Sequence, residues 1–469
     1  IAVLPFENMS DDPANRYFSD GISEEILNLL ASVPGIRVPS RTSAFSFRDQ
    51  DVPVREVAAR LKVDRVLDGS VRKMDNRVRI AVQLVDAETD SPVWSETYER
   101  ELEDIFAIQQ EISSSIVRAL PSALGLDEAE TSPSAERPTE SVEAYQIFLR
   151  GLYSFNNLRD LDLAIELFER AVELDPGFAR AWAMLGWAYV QGYLYDPATS
   201  ANLLARAQGA VQRALASDPS LPTAHGALGW LQVVQMSWAE GERSLVRAIE
   251  SGGSDVLPYL RYGTLLTDAG RTRDALEALL RAADLDPLNG IVAHWLSDVY
   301  RNLGQMEESL FHARRSVELG VPGGVGIYLY HLRRGEDERA IEALEESETL
   351  AGNDPSYVRA LVEAIRDTAK RPAALEAIDR AAAGNPRFFP IQYYYDLSVP
   401  EVVFDELERM ADRGTVVFGL WRLWEPEMTY LRRHPRFADL VARIGLLEYW
   451  RNVGWPDLCE PEGNGFRCR

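Results

Sequence analysis

Ala181-Trp182-Ala183-Met184-Leu185-Gly186-Trp187-Ala188-Tyr189 sets how the rest of the chain is read. Trp182, Leu185, Gly186 and Tyr189 stand at i, i+3, i+4 and i+7, which is one face of a helix, and the glycine lets a second helix approach that face closely. Downstream, residues that stop helices return on a fixed beat. Asp218 before Pro219, Gly252, Asp286 before Pro287, Gly320 and Asp354 before Pro355 follow one another at steps of 34. A period of that size marks stacked helical pairs, because one pair cannot bury its apolar face alone.

The opening stretch carries W-x2-L-G-x2-Y and, with the period, resembles the first helix of a tetratricopeptide repeat. Small and apolar positions recur where that family packs its second helix: Ala164, Phe168 and Ala171; Ala207, Val211 and Ala214; Gly241, Leu245 and Ala248; Ala275, Leu279 and Ala282. Asp175 lies 43 residues before Asp218. One unit therefore holds about nine extra residues, expected in the turn from Gln191 to Pro197 because insertions in such arrays go to loops. His225 stands where the repeat places a large aromatic, a packing role. The array is predicted over 141–400, followed by a helical cap and irregular tail over 401–469 that carries Trp421, Trp424, Trp450 and Trp455.

Residues 1–125 follow another pattern. Ile1 to Phe6 is an apolar run suited to a buried strand, and a helix opens near Ser19 or Asp20 with Ile22, Ile26, Leu29 and Leu30 on one face, stopping at Pro34-Gly35. Ile36 to Phe47 is expected to be extended and Val54 to Leu61 helical. Val66–Lys73, Val78–Val85 and Val93–Tyr98 form a predicted meander in which Val78, Ile80, Val82 and Leu84 alternate with Arg79, Ala81 and Gln83. Ile105, Ile108, Ile112, Ile116 and Leu120 give the stripe of a closing helix. The expected fold class is α+β and multidomain: a mixed α/β sheet domain over 1–125, a polar linker over 126–140, and an all-α superhelical solenoid.

Ile1-Ala2-Val3-Leu4-Pro5-Phe6-Glu7-Asn8-Met9-Ser10, Tyr17 to Ile26, Leu67 to Arg72 and Leu102 to Gln109 resemble the TolB amino-terminal-like domain. That resemblance implies a bacterial protein in which the domain is joined to tetratricopeptide repeats. Relatives of this kind carry a winged-helix, nucleotide cyclase or kinase module upstream, followed by a membrane-crossing segment. This implies the extracytoplasmic half of a signalling protein, or a free exported relative. The start at Ile1, with neither a methionine nor a signal pattern, is expected for a portion of a longer product.

At 46% apolar and 26% charged, the 469 residues have an ordinary globular composition, and no run of 18 apolar residues exists to cross a bilayer. A net charge of -24 leaves no basic footprint for a phosphate backbone, so nucleic acid is not an expected partner of this portion. Arg72, Lys73, Arg77 and Arg79 read as the solvated face of a hairpin. The two cysteines, Cys459 and Cys468, enclose a Pro and Gly containing loop. They read as a disulfide in an oxidising compartment, as two free thiols, or as part of a metal site that lacks further ligands nearby.

No H-E-x-x-H, G-x-S-x-G or Walker loop appears, and the histidines at 225, 294, 312, 331 and 434 lack metal-type spacing. The expectation is therefore a non-enzymatic protein with no cofactor and no metal. Asp11, Asp12 and Asp20 beyond the first strand read either as cation ligands or as ordinary turn and capping residues.

Positions one turn either side of the signature leucine line the inner groove of such an array. They select Arg180, Ala183, Trp187 and Val190, then Thr223, Trp230 and Val233, then Leu260, Thr264 and Thr267, then His294, Asp298 and Arg301. Trp187 and Trp230 beside polar groups suit a protein or peptide partner, and packing on neighbouring helices is the alternative. The expected function is a periplasmic or otherwise extracytoplasmic interaction scaffold or sensor portion, with any anchor upstream of Ile1. Two alternatives stand beside it: a self-assembling homo-oligomer or filament using the Val93–Tyr98 edge and the aromatic tail, and a small-molecule sensor.

Overall fold

A computed structural model of the chain describes residues 1–33, 35–119, 137–156, 160–195, 202–252, 255–321, 323–383, 385 and 388–469. The linker residues 126–136, the turn residues Asp196 and Pro197, Leu120 and Pro34 lie outside them.

The first domain is a mixed sheet. Strands β1 (Ala2–Val3) and β2 (Glu7–Asn8) run parallel to β3 (Arg65–Met74), which pairs antiparallel with β4 (Arg77–Asp86), and β4 with β5 (Ser91–Glu101). Asp75 takes a positive φ of 48° in the turn between β3 and β4, a conformation that aspartate and asparagine tolerate. Val78, Ile80, Val82 and Leu84 are buried and Arg77, Arg79 and Gln83 are exposed, as the alternation requires, until the bulge at Leu84 and Val85 breaks it. Helices α1 (Arg16–Ala31), α2 (Arg41–Phe45), α3 (Val54–Leu61) and α4 (Ile105–Ala119) complete the domain.

Two local expectations are corrected. Helix α1 begins at Arg16 rather than near Ser19, because Asp12 caps a 3-10 turn (Pro13–Asn15) that runs straight into it. Ile36 to Phe47 contains the short helix α2 rather than a strand. Arg41 and Arg48 there bracket the Phe45 ring, at 4.4 and 5.2 Å from its centroid, and both reach carboxylates of α1. Those tertiary contacts override a weak local preference for the extended state.

The array follows as helical pairs: α5 (Val142–Asn156) with α6 (Leu161–Leu174), α7 (Ala179–Tyr195) with α8 (Leu203–Ser217), α9 (Pro222–Val234) with α10 (Trp238–Ser251), α11 (Val256–Asp268) with α12 (Thr272–Leu285), α13 (Gly290–Asn302) with α14 (Met306–Glu318), α15 (Gly324–Arg333) with α16 (Asp337–Leu350), and α17 (Val358–Arg366) with α18 (Arg371–Ala383). A Cβ on Gly186 would meet Val211 at 2.7 Å and one on Gly263 would meet Leu279 at 2.6 Å, which is why the signature demands glycine there. The extra residues of the long unit begin within a helix rather than a loop, since α7 runs on to Tyr195 and spans 17 residues where α9, α11 and α13 span 13.

The rest consists of α19 (Ile391–Asp396), α20 (Pro400–Asp412), α21 (Thr429–Arg432), α22 (Pro435–Arg443), α23 (Leu446–Asn452) and the hairpin β6 (Cys459–Glu462) to β7 (Gly465–Cys468), whose cysteines are joined by a disulfide. This segment does more than cap the last repeat. It returns along the array and packs against units far upstream, as the indole of Trp238 donating 2.7 Å to the Ile444 carbonyl shows.

Candidate partner-binding face

The first helices of the pairs present the side chains that sequence spacing assigns to the groove. Arg180, at the start of this face, does not stand free: its guanidinium is 2.6 Å from Glu25 of α1. Farther along, the hydroxyl of Ser43 in α2 donates to Asp286, Leu288 N–H donates 2.8 Å back to Ser43, and Ser40 N–H donates 2.9 Å to the Leu285 carbonyl. The α/β domain thus touches the array at two places more than a hundred residues apart in sequence.

The returning tail covers much of what remains. Phe418 lies 6.3 Å from Trp230 and 6.0 Å from Trp295, ring centre to ring centre. Trp424 donates 3.0 Å to the Asp268 carbonyl, Trp450 donates 2.9 Å to the Ala269 carbonyl, and Asn302 donates 3.0 Å to the Trp421 carbonyl. Tyr193 donates 2.9 Å to the Arg413 carbonyl. Buried indole N–H groups need acceptors, and the carbonyls at helix ends supply them.

At the centre is a buried cluster of charge. One oxygen of Glu425 accepts from Arg301 at 3.0 Å and from Arg422 at 2.8 Å, and the other from Arg333 at 2.9 Å. Arg422 also holds Asp396 at 2.6 Å, and Arg301 holds Asp298 at 2.6 Å. Burial alone would raise the Glu425 carboxyl, but the guanidiniums of Arg422 and Arg301 outweigh it and hold it down at about 2. A second contact joins Tyr449, which donates 2.8 Å to Glu242, with Arg271 3.0 Å from that phenol. Asp268, sealed under the tail, has its carboxyl pushed well above the usual range by desolvation.

The expected groove residues therefore sit in an occupied face. Trp187, Val190, Trp230, Val233, Thr264, Thr267, Asp298 and Arg301 are all buried. Trp187 donates 3.2 Å to the Thr223 carbonyl, and Thr264 and Thr267 bond carbonyls of their own helix at 3.0 and 2.7 Å. His294 keeps partial exposure beside Asp298 at 3.6 Å. Spacing on the first helices pointed to this face but missed its occupants, Phe418, Arg422 and Glu425; the one clue was the density of tryptophan around them. Asp11, Asp12 and Asp20 do not converge: Asp12 caps the 3-10 turn, Asp20 is 2.7 Å from Arg48, and Asp11 lies 3.5 Å from Arg72. Among the described residues, no three His, Cys, Asp or Glu side chains are placed to hold a metal ion, and no helix is long and apolar enough to cross a membrane. Of the two features that suggested self-assembly, the outer edge of β5 pairs with no strand among the described residues, whereas Trp450 is buried inside the tail.

A family model described as HilA/YgeH-like transcriptional regulator, second domain, matches residues 1–115, in place of the TolB amino-terminal-like domain expected there. A tetratricopeptide repeat model matches residues 153–198 and 260–320, so the array carries tetratricopeptide repeats over those residues. A curated protein of Rhizobium meliloti (strain 1021), described as "Putative adenylate cyclase 3", is 39% identical over 241 residues, which is 50% of this chain and 40% of that protein. The match thus spans about two fifths of the relative's length. Among solved structures, pilF of Pseudomonas aeruginosa is 20% identical with a TM-score of 0.36 over 46% of this chain and 96% of its own. YrrB, described as a TPR protein with an unusual peptide-binding site, is 19% identical with a TM-score of 0.26 over 40% of this chain and 93% of its own.

Proposed function

We propose that this chain is a non-enzymatic interaction scaffold, the sensor or adaptor portion of a bacterial signalling protein, with a TolB-like or regulator-like α/β domain clasped by a tetratricopeptide array. The observation that carries it is the double clasp: Glu25 to Arg180 of α7, and Ser43 to Asp286 at the end of α12, bind the α/β domain to the array whose first helices the tail covers. A platform fixed from within presents its outer surfaces to a protein partner in one geometry. Arg180, Trp187, Trp230, Asp298 and Arg301 serve this closed form, and a groove ligand would first have to displace the tail.

An extracytoplasmic place is supported by the paired Cys459 and Cys468, which persist in an oxidising compartment. Kinship to a protein named as a cyclase supports a role beside nucleotide signalling, with the portion described here non-catalytic. One observation favours a second reading, a small-molecule sensor. A cleft of about 1280 Å³ opens between the α/β domain and the first helical pair, with Phe6, Tyr17, Arg48, Arg150, Tyr153 and Leu163 in its walls.

The test is the native mass of the complex isolated gently from source cells without overexpression. A stoichiometric heteromer is expected. A lone chain, or turnover that depends on residues of this chain, contradicts the scaffold.

A further inference from the structure

Among the described residues the sheet ends at β5. Its 11 residues bond β4 on one side and, among the described residues, no strand on the other, and all but Trp94 and Tyr98 are exposed. Such an edge offers a row of backbone donors and acceptors to an added strand. Proteins blunt such edges with proline, charged side chains, bulges or a covering segment. Here Pro92 and a bulge against Leu84 and Val85 stand at the start of the strand; beyond them it carries no proline and no lysine, and three of its four charged residues are carboxylates, so the edge is barred to acidic strands rather than to basic ones.

The register sets the side chains a newcomer would meet. Trp94 is opposite Leu84 and Tyr98 opposite Ile80, so both face the core side; Thr97, Glu99 and Glu101, opposite Ala81, Arg79 and Arg77, face the open side. Along β5 itself carboxylates outnumber cations, Glu96, Glu99 and Glu101 against Arg100, with Glu103 and Asp104 just beyond; Glu99 also lies 2.9 Å from Arg77 of β4, a half-exposed pair that an incoming cation would share. A second copy would bring the same excess of carboxylates on a chain of net charge -24, so self-pairing is disfavoured.

Resting on the scaffold reading, we propose that β5 is the docking edge for an extended basic segment of a partner protein, one that alternates apolar residues beside Trp94 with Lys or Arg beside Glu99 and Glu101. Backbone pairing supplies the affinity and the alternating pattern the selectivity.

The test uses the full chain and a labelled peptide of about ten residues alternating Lys with Val or Thr, read by fluorescence anisotropy. Three comparisons accompany it: the same peptide N-methylated at alternate backbone amides, a Glu-for-Lys peptide, and the Glu99→Lys/Glu101→Lys protein with its melting checked. Binding of the parent peptide is expected to fall at least about tenfold with N-methylation and in the reversed-charge protein, which should instead take the acidic peptide. Should the variant fail to fold, slowed hydrogen exchange confined to residues 93–101 of the unmodified protein carries the same weight. Equal binding of the N-methylated peptide, binding indifferent to charge reversal, or no binding overturns the inference. If it falls while the chain from source cells still carries a stoichiometric partner, the scaffold stands and only the β5 assignment is lost.

Discussion

Glu425 of the returning tail accepts a hydrogen bond from Arg301 of α13 at 3.0 Å, across 124 residues of sequence and with neither side chain exposed. Two ions removed from water cost several kcal/mol, and only the further guanidiniums of Arg422 and Arg333 make the arrangement tenable. Such a cluster tolerates no missing member, so it fixes where the tail lies.

Replacing Glu425 by glutamine keeps the shape but leaves three guanidiniums short of a buried counter-charge. The expected loss is about 3–5 kcal/mol, with new protease sensitivity among the arginines from Arg413 to Arg433. Thermal melting and limited proteolysis check both. A loss under about 1 kcal/mol would mean that the cluster does not hold the tail.

Acid should act on the same carboxylate. Its folded value is lowered from 4.5 to about 2, so its contribution is present above about 4.5 and disappears as pH falls toward 2. The shift corresponds to about 3 kcal/mol. Tryptophan fluorescence, to which Trp421 beside Arg301 and Arg422 contributes, should report loosening within that window in the unmodified chain, and a smaller change in Glu425→Gln.

Much of this was legible beforehand, and the division has a physical basis. The helical pairs, β3 to β5 and α4 follow from periodicity, because burial of one face imposes period 3.6 or period 2 on the residues themselves. Trp230 and Arg301, expected in an open groove, stand on the first helices α9 and α13 but are buried. What covers that face was not legible, since contacts such as Glu425 with Arg301 or Ser43 with Asp286 link residues far apart in sequence and leave no local pattern. Helix α2 was missed for the same reason, its conformation being set by Asp20 and Glu24 of another helix.

Glycines at two places should respond oppositely to alanine. At Gly263 the new Cβ would lie 2.6 Å from Leu279, whereas at Gly209, inside α8, it would meet nothing within 4 Å. Gly263→Ala is expected to cost about 1–3 kcal/mol and Gly209→Ala to gain about 0.5–1 kcal/mol. Paired denaturant titrations decide it, and equal effects would contradict the close helix packing at the signature glycine.

The disulfide pins Phe466 against Trp450 and Phe437, with ring centres at 5.4 and 5.9 Å. Thiol titration of the unfolded, unreduced chain should find no free cysteine. Cys459→Ser/Cys468→Ser should lose about 2–3 kcal/mol, the chain-entropy value for so short a loop, chiefly at the tail.

Hydrogen exchange resolved along the sequence tests the central claim most directly, because it asks whether the tail belongs to the same cooperative unit as the helices it covers. The amides of Val416 to Leu431 are predicted to open with the same high free energy as those of α11 and α13. Rapid exchange across that stretch while α11 and α13 remain protected would show a tail that merely rests on an open groove, and would contradict the closed platform.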